Sequence, residues 1–324
     1  MHSIQEYQEY FLAHLEAGIL LKEPKNLYEP IRYILSLGGK RMRPVLTLLS
    51  AEIFGADYKK ALPAAIAVEV FHNFSLVHDD IMDDAPLRRG KETVHEKWDI
   101  NTGILSGDAM LILAYQYFEQ YEPGTFRELA KLFSKTALEV CEGQQWDVDF
   151  ENRDDVSIPE YLKMIEYKTA VLVAAAMKMG AIIAETSEEN CKNIYDFGLN
   201  LGIAFQIQDD YLDAFGNPET FGKQVGGDII ENKKTYLYLK AKEFATGNQP
   251  DALMHLFSIR PDDNRDKIAS VKEIFTGTGA SDAALQAIRE YTVKAFETLE
   301  KIDISEDKKR VLKSFGENLM ERKA

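Results

Sequence analysis

The 324-residue sequence predicts an all-α protein, and three observations support this fold class. Nearly every long segment repeats its apolar residues at intervals of three and four, which is the spacing of an amphipathic helix. No segment alternates apolar and polar residues over the length of a strand. No low-complexity run, fixed-period repeat or linker-like stretch divides the chain. We therefore predict a single all-α domain spanning residues 1–324.

The apolar periodicity also places the individual helices. Gly38-Gly39 ends the second helix and Pro44 opens the third, because proline suits the first turn of a helix. The helices at 159–185 and 188–215 are apolar on more than one side, as central helices of a bundle are. Three or four smaller helices fill residues 250–321. The other predicted helices are 4–21, 26–37, 44–54, 59–84, 94–120, 125–148 and 233–245.

Composition and charge narrow the class of function. The net charge of −15 argues against a nucleic-acid surface, although basic residues can still cluster around an anionic substrate. Cys141 and Cys191 have no C-x-x-C or metal-ligand spacing, and the N-terminus has no signal-peptide pattern. No apolar stretch reaches the roughly 18–20 residues that a membrane span needs. We expect a reduced, cytoplasmic protein without a membrane span.

The stretch 76–84 ends a long apolar helix with four carboxylates in six residues. On a continued helix Asp79 would lie over Asp83, and Asp80 over Asp84. Like charges at this spacing repel, and a helix C-terminus disfavours each anion by about 0.3–1 kcal/mol. A bound cation would remove both penalties. The alternative is that the cluster is a solvated helix end.

A second acidic cluster at 205–213 repeats this arrangement. Asp209 and Asp213 are four residues apart at the end of another apolar helix, before a glycine-rich loop at 214–232. Carboxylate oxygens suit Mg²⁺, which keeps several waters and binds substrate phosphate. Two such clusters facing each other would hold several Mg²⁺ ions and a polyanion between them. The repeated pattern makes two solvated helix ends a much weaker explanation.

Basic residues accompany both clusters. Residues 38–44, Gly-Gly-Lys-Arg-Met-Arg-Pro, place three cations just before a helix start, where free backbone N–H groups favour anions. Arg88-Arg89 follows the first cluster, and Lys168 lies in an apolar helix where a lone lysine needs a partner. The second cluster is bracketed by Lys223, Lys233 and Lys234. Any one of these could be an ordinary surface charge, as we expect for Lys234, but together they predict a diphosphate site.

These pieces, in this order, resemble the trans-isoprenyl diphosphate synthase (polyprenyl synthetase) family over essentially the whole chain. A lone Asp-Asp-x-x-Asp would be a weak signal, whereas six ordered elements are specific. The six elements are Gly38-Gly39-Lys40-Arg41-x-Arg43-Pro44, Asp79-Asp80-x-x-Asp83 with Arg88-Arg89-Gly90, Gly143-Gln144, Lys168-Thr169, Gln206-x-x-Asp209-Asp210-x-x-Asp213, and Lys223 with Gly227-Asp228 and Lys233-x-Thr235.

The resemblance implies a fold, a reaction and a set of site residues. The fold is an antiparallel helical bundle around a deep central cavity, the isoprenoid synthase fold, in a homodimer. The reaction is Mg²⁺-dependent, head-to-tail addition of isopentenyl diphosphate to dimethylallyl, geranyl or farnesyl diphosphate. By resemblance Asp79 and Asp83 bind two Mg²⁺ ions and Asp209 a third, with Asp80 and Asp213 in supporting or secondary coordination. The residues implied for the allylic substrate are Arg88, Lys168, Thr169, Gln206, Lys223 and Lys233. Those implied for isopentenyl diphosphate are Lys40, Arg43, His72 and Arg89.

Physical chemistry is consistent with that assignment. Metal ions would stabilise charge on the departing diphosphate, and lysines with Gln206 would add donors there. An apolar cavity would protect the allylic carbocation from water. No His–Asp or Cys–His pair is evident for the final proton loss, and in the family the released diphosphate is thought to be the base. His72, seven residues before Asp79, can point into the cavity, whereas His78 is expected to be structural and Asp84 to lie outside the ligand set.

Product length is expected to depend on Phe74 and Ser75, about one turn before Asp79. In the family, large side chains at these positions stop the growing chain. One aromatic beside one small residue resembles the geranylgeranyl pattern, so we expect a C20 product, with C15 as the second candidate.

Two alternatives remain. A terpene cyclase shares the acidic chemistry but needs no second diphosphate site such as residues 38–44, and a squalene-synthase-like condensation is disfavoured likewise. A non-catalytic subunit of a heteromeric prenyl synthase would have lost the acidic motifs, which this chain keeps.

Overall fold

The computed structural model describes residues 1–18, 22–217 and 225–321, and within them the protein is helical apart from one short hairpin. The first nine helices are α1 (Ile4–Gly18), α2 (Lys25–Ser36), α3 (Met42–Ile53), α4 (Leu62–Met82), α5 (Val94–Lys97), α6 (Ile100–Phe118), α7 (Pro123–Glu151), α8 (Ile158–Ile165) and α9 (Val171–Ile183). They continue with α10 (Glu188–Phe215), α11 (Gly227–Ile230), α12 (Tyr236–Phe244), α13 (Gln249–Leu256), α14 (Arg265–Gly277), α15 (Ala280–Leu299) and α16 (Glu306–Met320). The prediction of an all-α class is confirmed.

Three local departures from regular helices matter for the site. Strands β1 (Leu87–Arg88) and β2 (Lys91–Glu92) form a short antiparallel hairpin after the first acidic cluster, with two residues in each strand. The segment predicted as one helix over 94–120 breaks at Asp99, whose side chain accepts from the backbone N–H of Thr102 and so caps α6. The segment predicted over 159–185 contains a π-helical turn, Glu166–Ala170, between α8 and α9.

Contacts between α-carbons divide the chain into two compact units. The first unit comprises Met1–Lys135 and Ala175–Lys192, and the second comprises Thr136–Ala174 and Asn193–Ala324. The single-domain organisation expected for residues 1–324 stays a prediction. Each unit is described on its own below.

The first unit is built around α4, which packs against α3 and α6. Phe71, Phe118 and Phe133 are fully buried, and the rings of Phe71 and Phe118 each lie 5.1 Å from that of Phe133. Burying a phenylalanine contributes about 1.5–3 kcal/mol, so this group anchors α4 and α6. The hydroxyl of Ser50 on α3 donates to the carbonyl of Met177 at 2.6 Å, which ties in α9.

The central helix of this unit, α4, is rich in apolar residues. The stretch Tyr58–Met82 is long and apolar enough to cross a membrane by length and composition, in contrast to our expectation. Sixty-seven per cent of its most apolar window is buried inside the protein, as in the core helix of a globular protein. It also contains Glu69, whose carboxylate pairs with Arg41.

The second unit has its own apolar core, in which α12 packs against α15. Leu237 and Phe275 are 1% exposed, and the rings of Tyr238 and Phe257 lie 4.3 Å apart. The side-chain amide of Gln208 donates to the carbonyl of Met320 at 2.8 Å, which fixes α10 against the end of α16. This core holds α10, the carrier of the second acidic cluster.

Candidate active site

In the first unit the acidic cluster straddles the end of α4. The helix ends at Met82, Asp83 is its C-cap, and Asp84 has a left-handed φ of 49°. The backbone N–H of Asp83 still donates to the carbonyl of Asp79 at 2.9 Å, so these two residues keep their helical spacing. The expected stacking of Asp80 over Asp84 is wrong, because the backbone turns left-handed before Asp84 can join that face.

Asp80 is paired with Arg88. Its carboxylate is buried, and Arg88 donates to it from Nε at 3.0 Å and from Nη2 at 2.5 Å. Burial raises the pKa of Asp80, and the bonds from Arg88 act against that rise. The same guanidinium lies 3.8 Å from a carboxylate oxygen of Asp79. Two-point binding of this kind fixes the direction of both side chains.

The hairpin aims Arg89 at the glycine pair of residues 38–39. Arg89 and Gly90 both have positive φ, as the tight two-residue turn requires. Arg89 donates to the carbonyl of Gly38. At Gly39, where φ is 121°, a β-carbon would lie 2.8 Å from the Arg89 guanidinium carbon. The positive φ and the close approach of Arg89 both favour glycine at position 39.

Arg43 and His72 form the second basic contact of this unit. Nη1 of Arg43 lies 3.2 Å from Nε2 of His72. Arginine can only donate, so Nε2 accepts and the proton of a neutral ring resides on Nδ1. Burial, and then the charges of Arg43 and Arg89, hold the pKa of His72 well below its usual range. His72 is thus a neutral member of a positively charged group.

Arg41 does not belong to that group, although the sequence placed it among three cations. It adopts a left-handed φ of 48° at the N-cap of α3 and is 4% exposed. Its guanidinium binds the buried carboxylate of Glu69 and the carbonyl of Leu35. The basic segment 38–44 therefore offers Lys40 and Arg43 to a ligand, and Arg41 joins α2, α3 and α4.

In the second unit a pocket gathers most of the residues predicted there. Its lining comprises Asp147, Phe150, Glu151, Tyr161, Met164, Ile165, Lys168, Thr169, Gln206, Asp210, Asp228, Lys233, Lys234 and Thr235. Lys168, Thr169, Gln206 and Lys233 were predicted from the sequence as substrate-binding residues. Asp147 and Tyr161 were missed, since neither belongs to one of the motif elements that we used to predict the site.

A chain of hydrogen bonds sets the orientation of Gln206. The hydroxyl of Thr169 donates to its Oε1 at 3.0 Å, and its Nε2 donates to Asp210 at 2.9 Å. The hydroxyl of Tyr161 donates to the other oxygen of Asp210. Burial, followed by the nearby Asp209 and Asp213, raises the pKa of Asp210 to about 7. The raised pKa of Asp210 therefore reflects its burial first and the neighbouring carboxylates of α10 second.

Lys168 has the partner that its apolar helix demanded. Its Nζ lies 2.5 Å from a carboxylate oxygen of Asp147 on α7. Lys168 and Thr169 sit in the π-helical turn, where the extra residue in the turn changes the direction of the side chains. Such turns are frequent at functional sites. The apolar periodicity did not predict this turn, because it is only five residues long.

Glycines on two helices allow this turn to pack closely. A β-carbon at Gly143 of α7 would lie 2.2 Å from the backbone nitrogen of Lys168. One at Gly202 of α10 would lie 2.7 Å from the α-carbon of Ala170. This close approach is the physical reason for glycine in the Gly143-Gln144 element.

The second acidic cluster is enclosed by the start of α11. The backbone N–H of Asp228 donates to Asp213 at 3.0 Å, and the N–H of Gly226 donates to the carbonyl of Asp213 at 2.6 Å. Burial, then Asp210 and Asp213, raise the pKa of Asp228. Crowded oxygen donors of this type fit a hard cation such as Mg²⁺ better than they fit one another. Asp209 and Asp213 keep the four-residue spacing expected of them within α10.

One of the lysines near this cluster is buried where we expected a surface charge. Lys233 bonds to Glu231 at 2.9 Å, and its side chain is 30% exposed. The interpretation of Lys234 as an ordinary surface charge is wrong. Its side chain is only 6% exposed, with Nζ 5.4 Å from the centre of the Tyr238 ring. The predicted Lys223 lies outside the described residues.

The body of α4 carries the two residues predicted to set product length. Phe74 is 8% exposed, and its ring lies 5.4 Å from that of Phe71 and 4.8 Å from that of His78. The hydroxyl of Ser75 donates to the carbonyl of His72 at 2.8 Å. His78 packs against α6, where its Nε2 lies 3.2 Å from the carbonyl of Ile104. His78 thus has the structural contacts expected of it.

The comparison with known proteins now decides the family. A family model described as Polyprenyl synthetase matches residues 24–275. The chain belongs to the polyprenyl synthetase family. A geranylgeranyl pyrophosphate synthase from Geoglobus acetivorans is 40% identical over 304 residues, which cover 93% of this chain and 92% of the relative. A geranylfarnesyl diphosphate synthase from Natronomonas pharaonis is 41% identical over 259 residues, or 74% and 76% of the two chains.

Solved structures agree with this polyprenyl synthetase assignment. A crystal structure of a geranylgeranyl pyrophosphate synthase matches with a TM-score of 0.96 and 56% identity over 100% of both chains. One from Pyrococcus horikoshii matches with a TM-score of 0.92 and 34% identity over 99% and 97%. The predicted all-α isoprenoid synthase fold and short-chain trans-prenyltransferase activity are confirmed. The cyclase and non-catalytic alternatives are not favoured.

Proposed function

We propose that this polyprenyl synthetase adds isopentenyl diphosphate head-to-tail to an allylic diphosphate by ionisation, condensation and elimination, with Mg²⁺ as cofactor. One observation carries the proposal: Lys168, Thr169, Gln206 and Lys233, distant in sequence, line one pocket. Their donors suit the oxygens of a diphosphate. Asp210 in the same pocket belongs to an acidic cluster whose oxygens suit the metal that accompanies such a group.

The metal ligands proposed are the spaced pairs of the two clusters. Asp79 and Asp83, one helical turn apart at the end of α4, would hold two ions, and Asp209 with Asp213 a third. Bound Mg²⁺ supplies Lewis-acid stabilisation of the charge on the departing diphosphate. Asp80 would act in support, because its carboxylate is committed to Arg88.

The allylic substrate would be held by donors whose directions are already set. Asp147 positions Lys168, and Thr169 positions Gln206, so each can meet developing charge without reorganising. Lys233 adds a second cation to this set of pocket donors. Arg88 and Lys223 complete the set proposed by resemblance.

The second substrate would be bound by Lys40, Arg43, His72 and Arg89. The neutral ring of His72 receives from Arg43 and can donate from Nδ1 to a phosphate oxygen. Arg89 is held at the glycine pair by its bond to Gly38. The final proton would leave to the released diphosphate, as resemblance implies.

For product length we propose C20, with C15 second. Phe74 is held between Phe71 and His78, so its ring has little room to swing aside. Relatives of similar identity bear both geranylgeranyl and geranylfarnesyl names, so identity alone does not fix the length. Phe74→Ala should lengthen the product, measured by chromatography of the dephosphorylated alcohols. A product of unchanged length would remove Phe74 from the floor of the cavity.

A cytoplasmic homodimer is proposed as the working form. Both cysteines are free, in keeping with a reducing compartment. On α6, Ile104, Leu105 and Ile112 are 41%, 60% and 59% exposed, and their spacing places them on one side of the helix. A second copy of the chain would cover this apolar side. Sedimentation analysis of the wild type and of Leu105→Glu tests it, with a dimer expected only for the wild type.

The function is tested by incubating the full chain with labelled isopentenyl diphosphate, Mg²⁺ and one starter at a time: dimethylallyl, geranyl or farnesyl diphosphate. We expect labelled product with at least one starter and none when EDTA removes the metal. Absence of product with all three starters would contradict the proposal.

A further inference from the structure

Three side chains outside the proposed catalytic set meet in the first unit. They are Asp84, His95 and Glu96, and one potential ligand atom of each lies within 4.8 Å of those of the other two. Asp84 directly precedes the segment that forms the Arg88-Arg89 hairpin. His95 and Glu96 lie on α5, directly after it. The cluster therefore spans the base of the hairpin.

The state of His95 points to a missing ligand. The residue is 8% exposed, and both of its ring nitrogens are buried. Neither nitrogen has a hydrogen-bond partner among the residues that the structure describes. Its Nε2 lies 3.8 Å from a carboxylate oxygen of Glu96, beyond hydrogen-bond distance. Burying an imidazole without a hydrogen-bond partner is unfavourable, and a bound metal would remove that penalty.

Asp84 and Glu96 are the two exposed carboxylates of this cluster. Asp84 is exposed and held by its left-handed backbone at the end of α4. The side chain of Glu96 is 48% exposed, so it can rotate toward a cation at little cost. Ligand atoms of a tetrahedral zinc site lie about 3.4 Å apart, given bonds of about 2.0–2.2 Å. Small side-chain rotations would bring these three atoms to that distance.

We propose that Asp84, His95 and Glu96 bind a divalent transition metal that clips together the two ends of the hairpin segment. Imidazole with carboxylate suits Zn²⁺ and its neighbours, whereas Mg²⁺ prefers oxygen ligands alone. The site is thereby distinguished from the acidic clusters by its chemistry. Three protein ligands leave a fourth position for water. Closing the loop at its base would restrict the hairpin that carries Arg88 and Arg89.

Zinc titration of metal-free, full-length protein in excess MgCl₂ tests this inference. Excess Mg²⁺ occupies the oxygen-only clusters, so calorimetry should detect one equivalent of Zn²⁺ that Mg²⁺ does not displace. That equivalent should disappear in His95→Gln and in Glu96→Gln. It should persist in the matched controls His14→Gln and Glu92→Gln, whose changed residues are exposed.

A second signal identifies the nitrogen ligand. Co²⁺ in place of Zn²⁺ should give visible absorption bands of a four-coordinate site, and His95→Gln should abolish them. Glu96 is exposed, so Glu96→Gln keeps the test decisive if the buried His95 variant does not fold. Three results would overturn the inference: no Mg²⁺-resistant equivalent in the wild type, retention of that equivalent in a folded variant of either ligand, or its loss in the controls.

Discussion

The backbone nitrogen of Lys168 lies only 2.2 Å from the point that a β-carbon on Gly143 would occupy. This contact sets α7 directly against the π-helical turn that presents Lys168 and Thr169 to the pocket. A side chain at position 143 would have to displace backbone atoms, which cannot rotate away as a side chain can.

Gly143→Ala should therefore lower both stability and turnover. Overpacking against fixed backbone costs about 1–3 kcal/mol, and a displaced Lys168 should reduce kcat by about 100-fold. Urea unfolding and steady-state kinetics measure the two effects. Gly124→Ala on the same helix is the control, since nothing lies within 4 Å of its β-carbon position. Equal behaviour of the two variants would show that the close approach has no consequence.

Gly39→Ala should weaken the binding of isopentenyl diphosphate. The new methyl group would meet the Arg89 guanidinium at 2.8 Å and displace it from Gly38. We expect KM for isopentenyl diphosphate to rise about tenfold, because that factor corresponds to the free energy of roughly one charge-assisted hydrogen bond. KM for the allylic substrate should change little. Gly55→Ala carries similar backbone strain at a φ of 93° but has nothing within 4 Å. An equal rise of KM for isopentenyl diphosphate in Gly55→Ala would show that backbone strain alone, and not the displacement of Arg89, causes the effect.

Tyr161→Phe should destabilise the second unit. The change removes the hydroxyl that donates to the buried carboxylate of Asp210, and Gln206 remains as a donor to that carboxylate. Loss of a bond to a buried charged group costs about 1–3 kcal/mol. Chemical denaturation measures it, and Tyr236→Phe, in a neighbouring buried ring, is the control. A loss of stability no greater than that of the control would argue against the network.

Acid should selectively weaken the contact between α1 and α3. Burial would raise the pKa of Glu52, but hydrogen bonds from Tyr7 and His2 lower it overall. A lowered folded-state pKa gives stability that is present above the unfolded value of 4.5 and is lost as pH falls through the folded value. Glu52→Gln should cost about 1 kcal/mol at pH 7 and progressively less in acid. Denaturation at several pH values checks this, with exposed Glu29→Gln as control. A constant difference across pH would contradict the assignment.

The sequence predicted the helices well where apolar periodicity and punctuation agreed. Gly38-Gly39 and Pro44 placed the break between α2 and α3 to within two residues. Periodicity did not reveal the π-helical turn, because a single turn of five residues is too short to set a period of its own. Asp99 was likewise missed as a helix cap, because it lies inside the segment 94–120 that we predicted as one continuous helix.

At the site, sequence spacing identified residues that lie on the same helix or loop. It did not identify the residues that they contact on other elements. The pairing of Asp79 with Asp83 followed from the helix. The pairing of Arg41 with Glu69 did not, because a buried ion pair 28 residues apart has no local signal. Lys234 was misjudged for the same reason: its burial comes from a ring four residues away and from the pocket wall.

The most direct test of the account is the rate at which labelled isopentenyl diphosphate and an accepted allylic starter form product in Mg²⁺, compared between wild type, Asp79→Asn and Asp209→Asn. Each variant removes one charged ligand from one acidic cluster. Exposed Asp262→Asn serves as the matched control. We expect losses of about 100-fold or more for both cluster variants and a wild-type rate for the control. A wild-type rate in either Asp79→Asn or Asp209→Asn would contradict it.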